Sequence, residues 1–305
     1  IIAGLRYEGT RFKAKGTGIR DDEFETISSK NSYNHWLPGL HGTYYLDDKT
    51  QIRAAWTNSV VRPTFEALAP GFSIESGDSA SFGNPDLDPM TSKNLDLGIE
   101  HYMGRAGAVS AYVFYKDISD FVYNTDVSGT GLFADFDEAV TFANGDSAEV
   151  YGIELAYSQK LSWLPAPWNG LLVGANATFS QSDAEIEGLG QTRSIDLPGQ
   201  SKQVGNLMIG WENDKLSMRL STNYKSSYLS EVAAIDDEAL DQYVDSQVFL
   251  DFGASYFLTK NAQISLEVKN ITDESFYVYN RSSSYNAQYE EYGPTIKLGF
   301  TLTNF

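Results

Sequence analysis

The feature that most constrains this chain is a two-residue alternation of apolar and polar side chains, repeated in segment after segment. Val248, Leu250, Phe252, Ala254 and Tyr256 alternate with Gln247, Phe249, Asp251, Gly253 and Ser255. Ala262, Ile264, Leu266 and Val268 alternate with Gln263, Ser265, Glu267 and Lys269, and Ile296, Leu298, Phe300 and Leu302 repeat the pattern near the end. Successive side chains of a strand point to opposite faces, so each segment carries one apolar and one polar face. The pattern recurs in 94–100, 171–180 and 216–225.

Twelve strands are expected, at roughly 1–15, 33–46, 50–60, 92–103, 107–118, 148–160, 170–181, 202–212, 215–228, 247–258, 262–271 and 292–304. Their connections alternate as well. Asp47-Asp48-Lys49, Gly104-Arg105-Ala106, Asn213-Asp214 and Thr259-Lys260-Asn261 read as tight turns. The segments 16–32, 61–91, 119–147, 182–201, 229–246 and 272–291 read as long polar loops, and Leu161–Gly170 as a link of medium length. Short turns at one end and long loops at the other are the habit of an antiparallel transmembrane β-barrel, with the long loops outside the cell. A tilted membrane strand needs about 9–11 residues, and these segments reach that length. The expected class is all-β, in the outer membrane.

The charged residues fit a barrel better than a soluble sheet. Arg53, Asp96, Glu100, Glu154, Arg219, Asp251, Glu267, Lys269 and Lys297 all fall opposite the apolar stripe. With the apolar side against lipid, they would line a lumen where water or a plug solvates them. The net charge of −19 argues against nucleic acid as a partner, because a phosphate backbone needs a basic surface. No cysteine is present, which excludes disulfides and thiolate chemistry. No run of 18 apolar residues occurs, so no membrane helix is expected.

Several stretches resemble the C-terminal barrel of TonB-dependent outer-membrane receptors, of the type abundant in Xanthomonas and Caulobacter relatives. They are Arg62-Pro63-Thr64-Phe65-Glu66-Ala67-Leu68-Ala69-Pro70 and Gly83-Asn84-Pro85-Asp86-Leu87-Asp88-Pro89, the second running into Ser92-Lys93-Asn94-Leu95-Asp96-Leu97-Gly98. Phe114-Tyr115-Lys116-Asp117-Ile118 with Asp120-Phe121, Asn144-Gly145-Asp146-Ser147 with Tyr151-Gly152-Ile153-Glu154-Leu155, and Asn270-Ile271-Thr272-Asp273-Glu274 complete the set. The opening Ile1-Ile2-Ala3-Gly4-Leu5-Arg6-Tyr7-Glu8-Gly9-Thr10 resembles a strand from mid-barrel. That placement implies a 22-stranded barrel, about 12 strands of which lie here as one region over 1–305, with plug domain, TonB box and first strands outside the chain. The alternative is a complete twelve-stranded barrel. A fragment would leave its first and last strands as open edges.

The resemblance implies TonB-dependent active uptake of a scarce nutrient, an oligosaccharide first and a ferric siderophore next. The implied partners are the protein's own plug, the TonB complex, the barrel assembly machinery, lipopolysaccharide and outer-membrane lipid. The lumen-side charges Arg53, Asp96, Glu100, Glu154, Arg219, Asp251, Glu267 and Lys269 would meet the plug or line the path. Phe300, Leu302 and Phe305 resemble an assembly signal, although Phe305 departs from the phase of Ile296, Leu298, Phe300 and Leu302, which a bulge would reset. Ligand contacts are expected from loop aromatics, namely His35, Trp36, Phe72, Phe82, Tyr123, Phe133, Tyr277, Tyr279, Tyr285 and Tyr289. Trp163 and Trp168 read as interfacial anchors instead.

No enzyme, cofactor or metal centre is expected. His35, His41 and His101 are scattered, no Gly-x-Ser-x-Gly elbow occurs, and Asp21-Asp22-Glu23 and Asp236-Asp237-Glu238 read as solvated loop charge. A passive porin is the main rival; a barrel enzyme acting on lipids and a soluble sugar-binding β protein are the others.

Overall fold

A computed structural model describes residues 1–20, 23–74, 79–104, 107–188, 191–233, 235 and 238–303. The chain opens with β1 (Ile2–Arg20), β2 (Glu23–Tyr45) and β3 (Thr50–Val61), then α1 (Phe65–Leu68), β4 (Phe72–Ile74) and β5 (Ser79–Phe82). Next come β6 (Met90–Tyr102), β7 (Gly107–Ser119), β8 (Val122–Asp126), β9 (Glu138–Asn144) and β10 (Ser147–Lys160). They are followed by β11 (Leu171–Gly188), β12 (Gln191–Ile195), β13 (Gln203–Glu212), β14 (Leu216–Lys225), β15 (Tyr228–Glu231) and β16 (Gln242–Val244). The last are β17 (Gln247–Thr259), β18 (Ala262–Lys269), β19 (Phe276–Asn280), β20 (Asn286–Glu290) and β21 (Thr295–Leu302).

All twelve expected strands form, and they pair antiparallel as one wall in the order β1-β2-β3-β6-β7-β10-β11-β13-β14-β17-β18-β21. Among the described residues no ladder joins β1 to β21, so both are edges. Directly opposed residues share a face. One row of partners runs Tyr44, Ile52, Ile99, Ala111, Leu155, Ala177, Gly205, Tyr224, Val248. The adjacent row, on the other face, runs Gln51, Glu100, Ser110, Ala156, Asn176, Asn206, Asn223, Phe249. The first row begins beside a tight turn and ends at the opposite end of the wall, the stagger that barrel closure requires.

The tight turns hold themselves. The Asp47 carboxylate accepts the N–H groups of Lys49 at 2.7 Å and Thr50 at 2.8 Å, and the Lys49 bond foremost holds its pKa below the usual range. Asn213 accepts from Lys215 and Leu216, each at 2.8 Å. Side chains here do the work of backbone turn bonds.

The other end differs from expectation. Residues 16–20 and 23–32 are strand where a loop was expected: β1 and β2 pair from Ile2↔His41 to Arg20↔Glu23. The sequence here shows no sustained apolar alternation, which hid the pairing, because beyond the bilayer a hairpin needs no apolar stripe and its backbone pairing suffices. The remaining long connections carry nine short strands. They form two four-stranded sheets, β4-β5-β9-β8 and β15-β16-β19-β20, with β12 paired to β11. The two sheets touch at the bridge Thr125↔Val232, where the Thr125 hydroxyl donates to the Ala233 carbonyl at 3.2 Å.

These connections make a cap, and the main apolar core lies under it. Ile118, Phe121, Val150, Ala184, Ile186, Ile195, Leu229 and Val232 pack together, Ile186 and Leu229 at 1 % exposure. Burying each such aliphatic chain contributes about 1.5–3 kcal/mol. Gly145 permits the packing, since a Cβ there would meet the Phe121 ring at 2.1 Å. The wall has no comparable core: Leu97 and Ile209 on its apolar face are 52 % and 47 % exposed.

Candidate functional site: the polar face and the cap

On the polar face, register brings together groups far apart in sequence. Glu100 is the centre of one network. Tyr102 donates to it at 2.8 Å, Tyr112 donates to its other oxygen, and Arg53 lies 3.2 Å away. The Tyr112 ring reaches Glu100 by crossing Gly98, its partner in the ladder, where a Cβ would stand 2.2 Å from the ring. The carboxylate is thus fixed by phenols and a guanidinium on three adjacent strands.

A second feature is an asparagine ladder. Asn223 donates to Asn206 at 2.7 Å and Asn206 to Asn176 at 2.8 Å, across β14, β13 and β11. The sequence reading missed it, because cross-strand partners depend on register, which a single chain does not display. Of the other expected polar-face residues, Asp96 opposes Ala55 and Phe114, and Glu154 opposes Tyr112 and Thr178. Arg219 opposes Gly210 and Gly253. Asp251 accepts the Asn270 N–H at 2.8 Å, and Lys269 pairs with Glu267 at 3.3 Å.

The aromatic candidates divide by location. Tyr277, Tyr279 and Tyr289 share one face of the β15-β16-β19-β20 sheet with Tyr243. Tyr243 stacks on Tyr279 at 5.7 Å and 12°, and Tyr277 meets Tyr279 at 6.0 Å and Tyr289 at 6.2 Å. The face is half-buried at its Tyr243 end, where burial and then the Asp241 carboxylate push the phenol's pKa up. It opens to solvent at Tyr289, 54 % exposed, with Tyr285 nearby in sequence at 67 %. Its open end is acidic: Tyr289 donates to Glu291 at 2.6 Å and Tyr292 donates to Glu290.

The remaining candidates lie elsewhere. Phe133 stacks on Phe82 at 4.9 Å and meets Phe136 at 5.4 Å, a separate aromatic group. Tyr123 is 6 % exposed, inside the core beside Phe121. Trp36 opposes Tyr7 on the apolar face, ring centroids 4.7 Å apart. His35 lies on the polar face opposite Glu8, 5.7 Å from the Tyr33 ring, and its buried Nε2 has no partner among the described residues. Trp163 and Trp168, in the link of medium length, are 65 % and 58 % exposed. Phe300 and Leu302 stand on the apolar face of β21, opposite Ile264 and Ala262. The Phe72 side chain, Asp21, Asp22, Asp236, Asp237 and Phe305 lie outside the described residues.

Comparison with known proteins agrees with this architecture. The β-barrel family of TonB-dependent receptor-like proteins matches residues 1–271. The iron-regulated outer membrane virulence protein of Vibrio cholerae serotype O1 is 25 % identical over 250 residues, 80 % of this chain and 37 % of its own. The vitamin B12 transporter BtuB of Photobacterium profundum is 22 % identical over 315 residues, 98 % of this chain and 41 % of its own. The ferric-catecholate import receptor Fiu of E. coli K12 superposes with a TM-score of 0.65 at 17 % identity, covering 98 % of this chain and 42 % of that one. The chain thus spans about two-fifths of the length of these relatives. With the family matched over most of its length and a two-faced antiparallel wall beneath a structured cap, this chain belongs to the TonB-dependent receptor β-barrels of the outer membrane.

Proposed function

We propose that the chain is the later part of the barrel of a TonB-dependent importer whose ligand is a compact chelate, a ferric siderophore or a corrinoid, of low negative charge. The tyrosine face of the cap carries this reading. Four phenol rings, with neighbouring centroids 5.7 to 6.2 Å apart, form one continuous aromatic surface. The Tyr277 and Tyr289 hydroxyls already donate to the Ser283 carbonyl and to Glu291, so the ring faces and edges are what the surface offers. The relatives' names, which mention iron, vitamin B12 and ferric catecholate, favour such a ligand over the oligosaccharide expected from the sequence. Glu290 and Glu291 beside the open end disfavour a highly anionic chelate.

Within this reading the polar face contacts a plug domain. Glu100, held in place by Tyr102, Tyr112 and Arg53, presents a preorganised acceptor to it, and Arg219, Asp251 and Glu267 extend the contact surface. TonB acts through the plug, and the wall stays in place as its frame. The two unpaired edges are the seams at which the rest of the barrel joins.

The test uses the full-length receptor in outer membranes, with and without TonB. Binding and uptake would be compared for a neutral ferric trihydroxamate, cyanocobalamin, a trianionic ferric tricatecholate and a maltodextrin. The expected result is TonB-dependent uptake of one of the first two, lost on Tyr279→Ala and Tyr289→Ala together. Uptake of the maltodextrin alone would restore the oligosaccharide reading, and TonB-independent conductance in planar bilayers would favour a porin.

A further inference from the structure

Asp241 is the most deeply buried charged side chain described, at 1 % exposure. Its carboxylate takes both arms of the Arg193 guanidinium, one at 3.3 Å, and the Ala233 N–H at 3.1 Å. Its backbone carbonyl accepts the Arg281 N–H at 2.8 Å, and Arg281 pairs with Glu238 at 3.2 Å. Three separate connections therefore meet at one residue. Arg193 comes from β12 between β11 and β13, Ala233 from the segment between β14 and β17, and Arg281 from the turn between β19 and β20.

The geometry has a direction. β11 is a wall strand that runs on past its neighbour β13 to pair with β12, so Arg193 is carried on a hairpin continuous with the wall. Asp241 precedes Tyr243 by two residues and adjoins the strand that starts the tyrosine face. Apolar packing of Leu229 and Val232 also docks this sheet, but such packing is non-directional. A bidentate guanidinium–carboxylate fork fixes orientation as well as distance.

We infer that the Arg193–Asp241 pair is the positioning contact that orients the tyrosine face relative to the barrel wall, and that it sets ligand affinity without touching the ligand. The affinity part rests on the ligand reading above; the positional part does not. Neither residue needs to be catalytic or exposed for this. Substituting one side removes the other's counter-charge at this contact, whereas removing both charges isolates the loss of orientation.

The experiment places spin labels at Ser283→Cys, in the β19–β20 turn, and Lys260→Cys, in the tight turn between β17 and β18, of the full-length receptor. Pulsed EPR distances are read in Asp241→Asn, Arg193→Lys and the double variant Arg193→Met/Asp241→Leu. Heat-modifiable gel mobility checks that the barrel has folded. The unsubstituted receptor is expected to give one narrow distance. Asp241→Asn and the double variant should broaden it, with Arg193→Lys between, and the Kd for the neutral ferric trihydroxamate or cyanocobalamin should rise roughly tenfold at unchanged capacity. The double variant decides the matter if a single one fails to fold. Unchanged distances in the folded double variant would overturn the positional inference, and weaker binding at unchanged distances would mean direct contact instead. Broadened distances with unaltered Kd would overturn the affinity part. If the unsubstituted receptor binds none of the probes, the ligand reading fails while the distances still judge the pair.

Discussion

The wall and the cap satisfy the same physical requirements by opposite means. In the wall, backbone groups pair strand to strand, and the apolar side chains turn outward and stay exposed, as with Leu97 and Ile209. Their burial has to come from lipid, so the wall is complete only in a membrane. In the cap, Phe121, Ile186, Leu229 and Val232 bury one another, and the buried Asp241 is paired with Arg193. This core is built jointly: Phe121, Leu229 and Val232 come from the connections, and Ile118, Val150 and Ile186 from the cap-side ends of the wall strands β7, β10 and β11. An environment supplies the hydrophobic term in one region and the chain supplies it in the other.

The largest effect that should separate them is Phe121→Ala. It is expected to cost the cap about 3–5 kcal/mol, read as faster proteolysis and hydrogen exchange of the loops, with the barrel's gel mobility unchanged. A simultaneous collapse of the barrel would mean that the two regions are not separable. Ile209→Arg is the mirror experiment. On the lipid face it should cost about 2–4 kcal/mol in denaturant titrations of folding into bilayers, less toward an interface, and leave loop protection alone.

Smaller still, Gly98→Val should push the Tyr112 ring off its path to Glu100. The expected result is a receptor that folds but holds its plug less firmly, measured as increased conductance; normal plug retention would count against a role for the Glu100 network.

The pH dependence should belong to the cap. Burial foremost, then Glu138 and Asp126 across the seam, raise the Glu231 pKa above its ordinary 4.5. The neutral form is favoured in the folded cap, so this contribution is fully present below the ordinary pKa. It is lost as pH rises through the raised value. Loop protection should therefore be greater at pH 5 than at pH 8, and Glu231→Gln should flatten that difference. The smallest effect belongs to Lys93–Asp117, an exposed pair at 3.4 Å, where Lys93→Ala should leave folding in bilayers measurably unchanged.

Much of the wall was legible beforehand because its rule is local. Val248, Leu250 and Phe252 announce their face by alternation alone, and Asp47 and Asn213 announce their turns. The cap was not legible, because its short strands are three to seven residues long and pair across distant segments, as β5 does with β9. Tyr123 and Tyr279 illustrate the limit. Both are tyrosines in polar connections, yet one is sealed in the core and the other lies on the tyrosine face.

The sequence by itself determined the two-faced strands, their sorted turns and the family, since period-two patterning and short motifs are properties of neighbouring residues. Only the tertiary structure decided that residues 16–20 and 23–32 extend the β1–β2 pairing, that Asn176, Asn206 and Asn223 form a ladder, and that Arg193 meets Asp241. Those contacts depend on strand register and on how connections fold over one another. Register is a relation between segments, and no single segment contains it.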